Sequence, residues 1–141
     1  MKKTTIDELK NHEKAYEILK DHVPKITFSM SVTGHLENNV YIVMEKINGM
    51  SVADMYGENP LDIPVNIFEN IRQMLYVLKE NSIDYIDITG YNFMIDADEK
   101  LYIIDFEHCI DREIHTKIND GKSWFLNEFL SGVNIWNPDF E

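Results

Sequence analysis

The sequence predicts an α+β domain, and three patterns in its 141 residues carry that prediction. Two short apolar runs, 93–95 and 101–104, flank the polar cluster Asp96-Ala97-Asp98-Glu99-Lys100, which reads as a β-hairpin with its turn. Ile67, Phe68, Ile71, Leu75 and Leu78 recur at helical intervals behind Asp62 and Pro64, so a long helix ending near Asn81 precedes the hairpin. Two further runs, 25–32 and 40–47, read as strands joined by the turn-rich link 33–39. At this length one core suffices, and residues 1–141 are expected to form a single domain.

The remaining elements follow in order. Thr5 and Glu8 have capping-box spacing, and Ile6, Leu9, Tyr16 and Leu19 then recur as on a helix of about four turns that stops before Pro24. Glu13 falls on that otherwise apolar face, where a charge needs a partner; Glu17 is a competing choice. Residues 51–56 suit a short helix ended by Gly57-Glu58-Asn59-Pro60. Near the end, Trp124, Phe125, Phe129 and Leu130 suit one buried helical face.

Composition narrows the function. A formal net charge of −12 repels a phosphate backbone and argues against sequence-independent nucleic-acid binding, leaving divalent cations and basic or neutral partners. The lone cysteine, Cys109, excludes an internal disulfide and is expected to be a small buried hydrophobe. The five histidines lack metal-ligand spacing, so no zinc site is expected. The basic start is followed by Ile6-Asp7-Glu8-Leu9-Lys10 rather than an apolar run, and no apolar stretch of membrane-spanning length occurs; neither a signal peptide nor a membrane partner is expected, and the cytosol is the default compartment.

The chemistry concentrates at the hairpin's outer ends, where Asp87, Asn92 and Asp105 sit. An Asp followed five residues later by Asn, with Asp-Phe closing the next strand, is the order of a kinase catalytic loop and metal-binding turn. The chain resembles the protein-kinase-like superfamily, with partial similarity to its choline and aminoglycoside kinase branches. The resemblance implies a kinase-like α+β fold with a reduced N-lobe of one helix plus a β-hairpin (1–47, with the hinge strand) and a shortened, mainly helical C-lobe (48–141) carrying the catalytic hairpin.

It also implies the cofactors ATP and Mg²⁺. Asp87 would be the catalytic carboxylate beside an acceptor hydroxyl, and Asn92 and Asp105 the metal ligands. Glu107, in place of the usual glycine, would be a further metal ligand. Glu13 would pair with a phosphate-binding lysine. Met44 would take the gatekeeper position, backbone groups of Glu45 and Ile47 would meet the adenine, and Met94 would floor it.

Several departures accompany the resemblance. No glycine occurs before Gly34, and the only early basic residues are Lys2, Lys3 and Lys10, so the glycine-rich loop and strand lysine are expected to be missing. Ile86 stands at the family's usual arginine and Thr89 at its lysine or histidine, which leaves little positive charge for the phosphates. The leading expectation is a minimal phosphotransferase acting on a protein or small-molecule hydroxyl. The alternatives are a catalytically silent module that senses nucleotide or binds another protein, and a chain whose missing phosphate-binding elements come from a protein partner.

Overall fold

The Thr5 hydroxyl accepts the Glu8 N–H at 3.1 Å and so starts the first helix, α1 (Ile6–Leu19), as the capping residues predict. The computed structural model describes residues 2–33, 38–114 and 120–138. The buried face of α1 is largely polar, comprising Glu8, Asn11, His12 and Ala15, while Ile6 is exposed. Burial of polar groups is tolerable only with partners. Asn11 Nδ2 donates to the carbonyls of Phe106 at 3.4 Å and Cys109 at 3.3 Å, and His12 Nε2 donates to the Pro24 carbonyl at 2.7 Å. A 3-10 turn, Lys20–His22, closes the helix.

Under α1 lies an antiparallel sheet in the order β1-β3-β2, made of β1 (Lys2–Thr4), β2 (Ile26–Thr33) and β3 (Asn38–Met44). The two predicted strands are there; of the predicted link between them, residues 34–37 lie outside the described residues. The additional strand β1 pairs Lys2 with Ile42 and Thr4 with Val40. Val40 and Ile42 are buried, and register puts Lys2 on their face.

The predicted hairpin forms as β6 (Phe93–Asp96) and β7 (Leu101–Ile103). Its turn is built by Asp96, whose Oδ1 accepts the N–H groups of Asp98 and Lys100, both at 2.9 Å. A short strand, β4 (Gly49–Ser51), pairs with β6, and a Cβ at Gly49 would lie 2.0 Å from the Ile95 carbonyl oxygen, so only glycine permits that approach. Ser51 then caps α2 (Val52–Tyr56).

The long helix α3 (Val65–Glu80) buries Ile67, Phe68, Ile71, Met74, Leu75 and Leu78, each of the large side chains contributing about 1.5–3 kcal/mol over exposure. It leads into β5 (Ile83–Asp84), which pairs with β8 (Ile110–Asp111). Arg112 fastens this pair: Nη1 bonds Asp84, Nη2 donates to the Lys79 carbonyl at 2.6 Å, and its backbone N–H reaches the Ser82 carbonyl at 2.8 Å.

In the last helix, α4 (Asp120–Leu130), Leu126 and Phe129 are the fully buried residues and Trp124 is 61% exposed, which corrects the predicted face. Trp124 lies five residues before Phe129, well round the helix from it. Aromatic rings then run through the molecule in contact: Phe129 with Trp136, Trp136 with Phe93, Phe93 with Tyr85, Tyr85 with Phe106, and Phe106 with His12. The described residues contain no helix long and apolar enough to cross a membrane.

Candidate functional site

The loop between β5 and β6 holds itself in shape before anything binds to it. Asn92 N–H donates to the Thr89 carbonyl at 3.1 Å, and the Ile104 N–H returns to the Asn92 carbonyl at 3.1 Å, which ties the loop to the far end of the hairpin. Asn92 Nδ2 donates to the Asp87 carbonyl at 2.9 Å. That bond fixes the orientation of the amide, so Asn92 Oδ1 is its remaining acceptor. The Asn137 N–H donates to the Ile88 carbonyl at 2.8 Å and braces the loop from the other side.

Around this loop lies a cleft of about 260 Å³ lined by Lys2, Pro24, Met44, Glu45, Ile47, Asn92, Met94, Ile104 and Asp105. Six residues singled out in the sequence, Met44, Glu45, Ile47, Asn92, Met94 and Asp105, thus come together from β3, β6 and the segment after β7. The Glu45 N–H is engaged by the Lys25 carbonyl at 2.9 Å, and Glu45 Oε1 accepts the Lys25 N–H at 2.9 Å. Among the described residues no hydrogen bond engages the Glu45 carbonyl or the Ile47 N–H. These are the backbone groups a heterocycle in the cleft could meet.

Asp105 is half-buried, and its Oδ1 accepts the Glu107 N–H at 3.0 Å, leaving Oδ2 as the open carboxylate oxygen. Asp87, in the same loop, is also half-buried but lies outside the cleft lining, so the cleft gathers Asn92 and Asp105 without it. Burial pushes the Cys109 thiol and the Tyr85 hydroxyl well above their usual ranges; the charges of Asp105 and then Asp87 add to this for Cys109, and those of Cys109, Asp105 and then Asp87 for Tyr85. Cys109, expected to be a small buried hydrophobe, is partly buried against the core, and the raised pKa keeps it a protonated thiol. Glu107 is exposed and does not line the cleft.

The acid on α1 that reaches this region is Glu8, and this corrects the placement of Glu13. Lys2 Nζ lies 2.6 Å from Glu8 Oε1, with the Glu8 side chain 5% exposed and that of Lys2 40%. Burial raises the Glu8 carboxyl above its usual value, Lys2 opposes the rise, and the negative charges of Asp105 and Glu107 add to it. Glu13 is exposed and lies away from the cleft, five residues and well over a quarter-turn round the helix from Glu8. A strand residue, Lys2 on β1, thus brings a lysine to the cleft where none was expected. The signal that could have found it is the pairing of Lys2 and Glu8 across the capped helix start.

The donor set suits a small hard cation: one amide oxygen at Asn92 and one carboxylate oxygen at Asp105, facing a cleft with a lysine at its rim. Among the described residues no group of three or more His, Cys, Asp or Glu is placed to hold a metal by itself, so an ion here would need further oxygens from water or a bound ligand.

Among the described residues, small antiparallel sheets and four α-helices, with a lysine on one strand paired to a glutamate on the first helix and a cleft that gathers Asn92 and Asp105, match a protein-kinase-like fold. Over 93 residues the chain is 27% identical to 3-deoxy-D-manno-octulosonic acid kinase of Vibrio parahaemolyticus, a match covering 65% of this chain and 38% of that protein. It superposes on the structure of the Cydia pomonella granulovirus kinase PK-1 with a TM-score of 0.59 at 12% identity, covering 94% of this chain and 59% of the viral one. The latter is a likeness of fold. The chain thus spans less than two thirds of either relative, and no protein-family model matches it.

Proposed function

We propose that this chain is a kinase-like phosphotransferase that binds ATP with Mg²⁺ and passes the γ-phosphoryl group to a hydroxyl. The observation that carries the reading is the Lys2–Glu8 ion pair at the rim of the cleft that also gathers Asn92 and Asp105. In this reading residues 1–47 act as a reduced N-lobe with its hinge and residues 48–141 as a shortened C-lobe. The Glu45 carbonyl and Ile47 N–H take the adenine edge, Met44 stands at the back of the cleft and Met94 below. The cleft is smaller than the roughly 300–1,000 Å³ of typical ligand pockets, which fits the base alone, with the phosphates lying outward toward Lys2, Asn92 and Asp105.

Bound magnesium would neutralise charge on the phosphate oxygens. Asn92 Oδ1 and Asp105 Oδ2 are the atoms of this chain that would hold it, and the Glu107 N–H, donated to Asp105 Oδ1, would steady that carboxylate. Asp87 orients the acceptor hydroxyl and takes its proton as the new O–P bond forms and the bond to the leaving diphosphate oxygen breaks. Glu8 is a positioning residue, holding the Lys2 ammonium against the phosphates. Lys2 also weakens the case for a silent module, since that case rested on a missing cation. The name of the bacterial relative makes a sugar-acid hydroxyl one acceptor class, and a protein hydroxyl is the other.

Mg²⁺-dependent transfer of labelled γ-phosphate from ATP, to the chain itself or to an acceptor of either class, tests the proposal. Transfer should disappear in Asp87→Ala and Asp105→Asn. Equal transfer in both variants would remove the assignment.

A further inference from the structure

β2 is an edge strand of its sheet, and beyond the register shift between Ile26 and Phe28 nothing in its sequence blunts that edge. Ile26-Thr27-Phe28-Ser29-Met30-Ser31-Val32-Thr33 contains no charge, proline or glycine, the devices that normally prevent an open edge from pairing. Residues 27–32 are all exposed. The register sets Phe28, Met30 and Val32 opposite Val43, Tyr41 and Asn39 on the face turned away from the buried Val40 and Ile42, and they are 54%, 42% and 43% exposed. Three large apolar side chains in one row, at this exposure, form a patch in want of cover.

The other face of the same edge has the opposite character. Between α1 and β2 runs a groove of about 370 Å³, with Glu13, Tyr16 and Glu17 along the helix side and residues 25–29 along the strand side. Glu13 and Glu17 stand one turn apart and are exposed, against a single lysine, Lys25, at the groove's end. Side chains of an extended strand alternate between faces. A strand laid along β2 would therefore present one set of residues beside Phe28, Met30 and Val32 and the other set toward Glu13 and Glu17.

We infer that the open edge of β2 is a docking site for an extended segment of a partner protein in which apolar and basic residues alternate. Main-chain hydrogen bonds to β2 supply the affinity, and the two unlike faces supply the choice of partner. A second copy of this chain is the poorer occupant: β2 carries no basic residue to offer Glu13 and Glu17, and two chains of formal charge −12 repel. This inference stands apart from the phosphate chemistry and survives its failure.

The probe is a synthetic peptide of alternating lysine and valine, added to the whole chain, with a glutamate–valine peptide of equal length as control. Fluorescence anisotropy should show saturable binding of the lysine peptide, tighter than the control by about tenfold or more. Hydrogen exchange should show slowed amides within residues 27–32. Met30→Lys, which places a charge on the edge, and the double variant Glu13→Lys/Glu17→Lys should each weaken binding by about tenfold. The double variant decides the matter if Met30→Lys fails to fold. Binding unaffected by the double variant, or protection confined to another element, overturns the inference. So does a dimer in sedimentation that Met30→Lys abolishes, because a second copy then holds the edge.

Discussion

The ring of His12 meets the ring of Phe106 at 5.0 Å with an interplanar angle of 60°, while its Nε2 donates to the Pro24 carbonyl at 2.7 Å. Helix α1 is thereby locked against the residue that follows Asp105. Burial holds His12 below its ordinary value of 6.5, and the Pro24 bond only partly opposes this. The unfolded chain consequently binds the proton more readily than the folded one, so stability rises with pH through the window below about 6.5 and levels off above it. Lowering the pH from about 7.5 to about 5.5 should reduce the urea-unfolding free energy, by no more than about 1.4 kcal/mol per pH unit from this one group. In His12→Gln that component should vanish; identical pH profiles for the two proteins would contradict the account.

Replacing Lys2 should lower both stability and activity, and a second change separates the two. Lys2→Met strands the nearly buried Glu8 carboxylate and should lower the melting temperature, Lys2→Met/Glu8→Gln should recover part of that loss, and both should slow γ-phosphate transfer by about 100-fold or more, the scale of losing one preorganised charge at a reacting phosphate. Steady-state transfer assays beside a melting curve would show it. Full activity in Lys2→Met would mean that another cation serves the phosphates.

Arg112 should be a stability residue. Asp84 is nearly buried, and burial raises its carboxyl while Arg112 pulls it back. Arg112→Ala leaves that acid and the Lys79 carbonyl unmatched, and a loss of about 3 kcal/mol is expected in chemical denaturation. Adding Asp84→Asn should restore part of it, because the stranded charge is then gone. Arg112→Lys should recover little, since an ammonium cannot reach both partners in a fork.

Gly49→Ala is expected to cost about 1–3 kcal/mol, because the new methyl collides with backbone rather than with a side chain that can turn aside. The loss should appear in thermal unfolding together with faster amide exchange across β4 and β6. Slow exchange there in the variant would show that the strands can separate slightly at no cost.

The hairpin and α3 were legible because each depends on local pattern: apolar residues at period two around a polar turn, and at helical period before it. The cleft residues Met44, Glu45, Ile47, Asn92, Met94 and Asp105 were singled out through resemblance, which places them at the end of β3 and at the two open ends of the hairpin, and these segments line one cleft. Lys2 and Glu8 were not. A three-residue strand carries no periodic signal, and the face of α1 that is buried is the polar one, so ranking positions by apolar recurrence pointed to Glu13. The strands β4, β5 and β8, each two or three residues long, exist only through partners far along the chain. Trp124 misled for a related reason, its size outweighing its position on the helix.

The brace from Asn137 to Ile88 has a consequence for the order in which this protein can mature. A nascent chain emerging from the ribosome would display Asp87 and Asn92 long before residues 136 and 137 follow, and until then the loop lacks its last backbone bond and Phe93 lacks its stacked indole. The shape of the loop that carries Asp87 and Asn92 is thus completed only once residue 137 has been made, by a residue that lies outside the cleft lining.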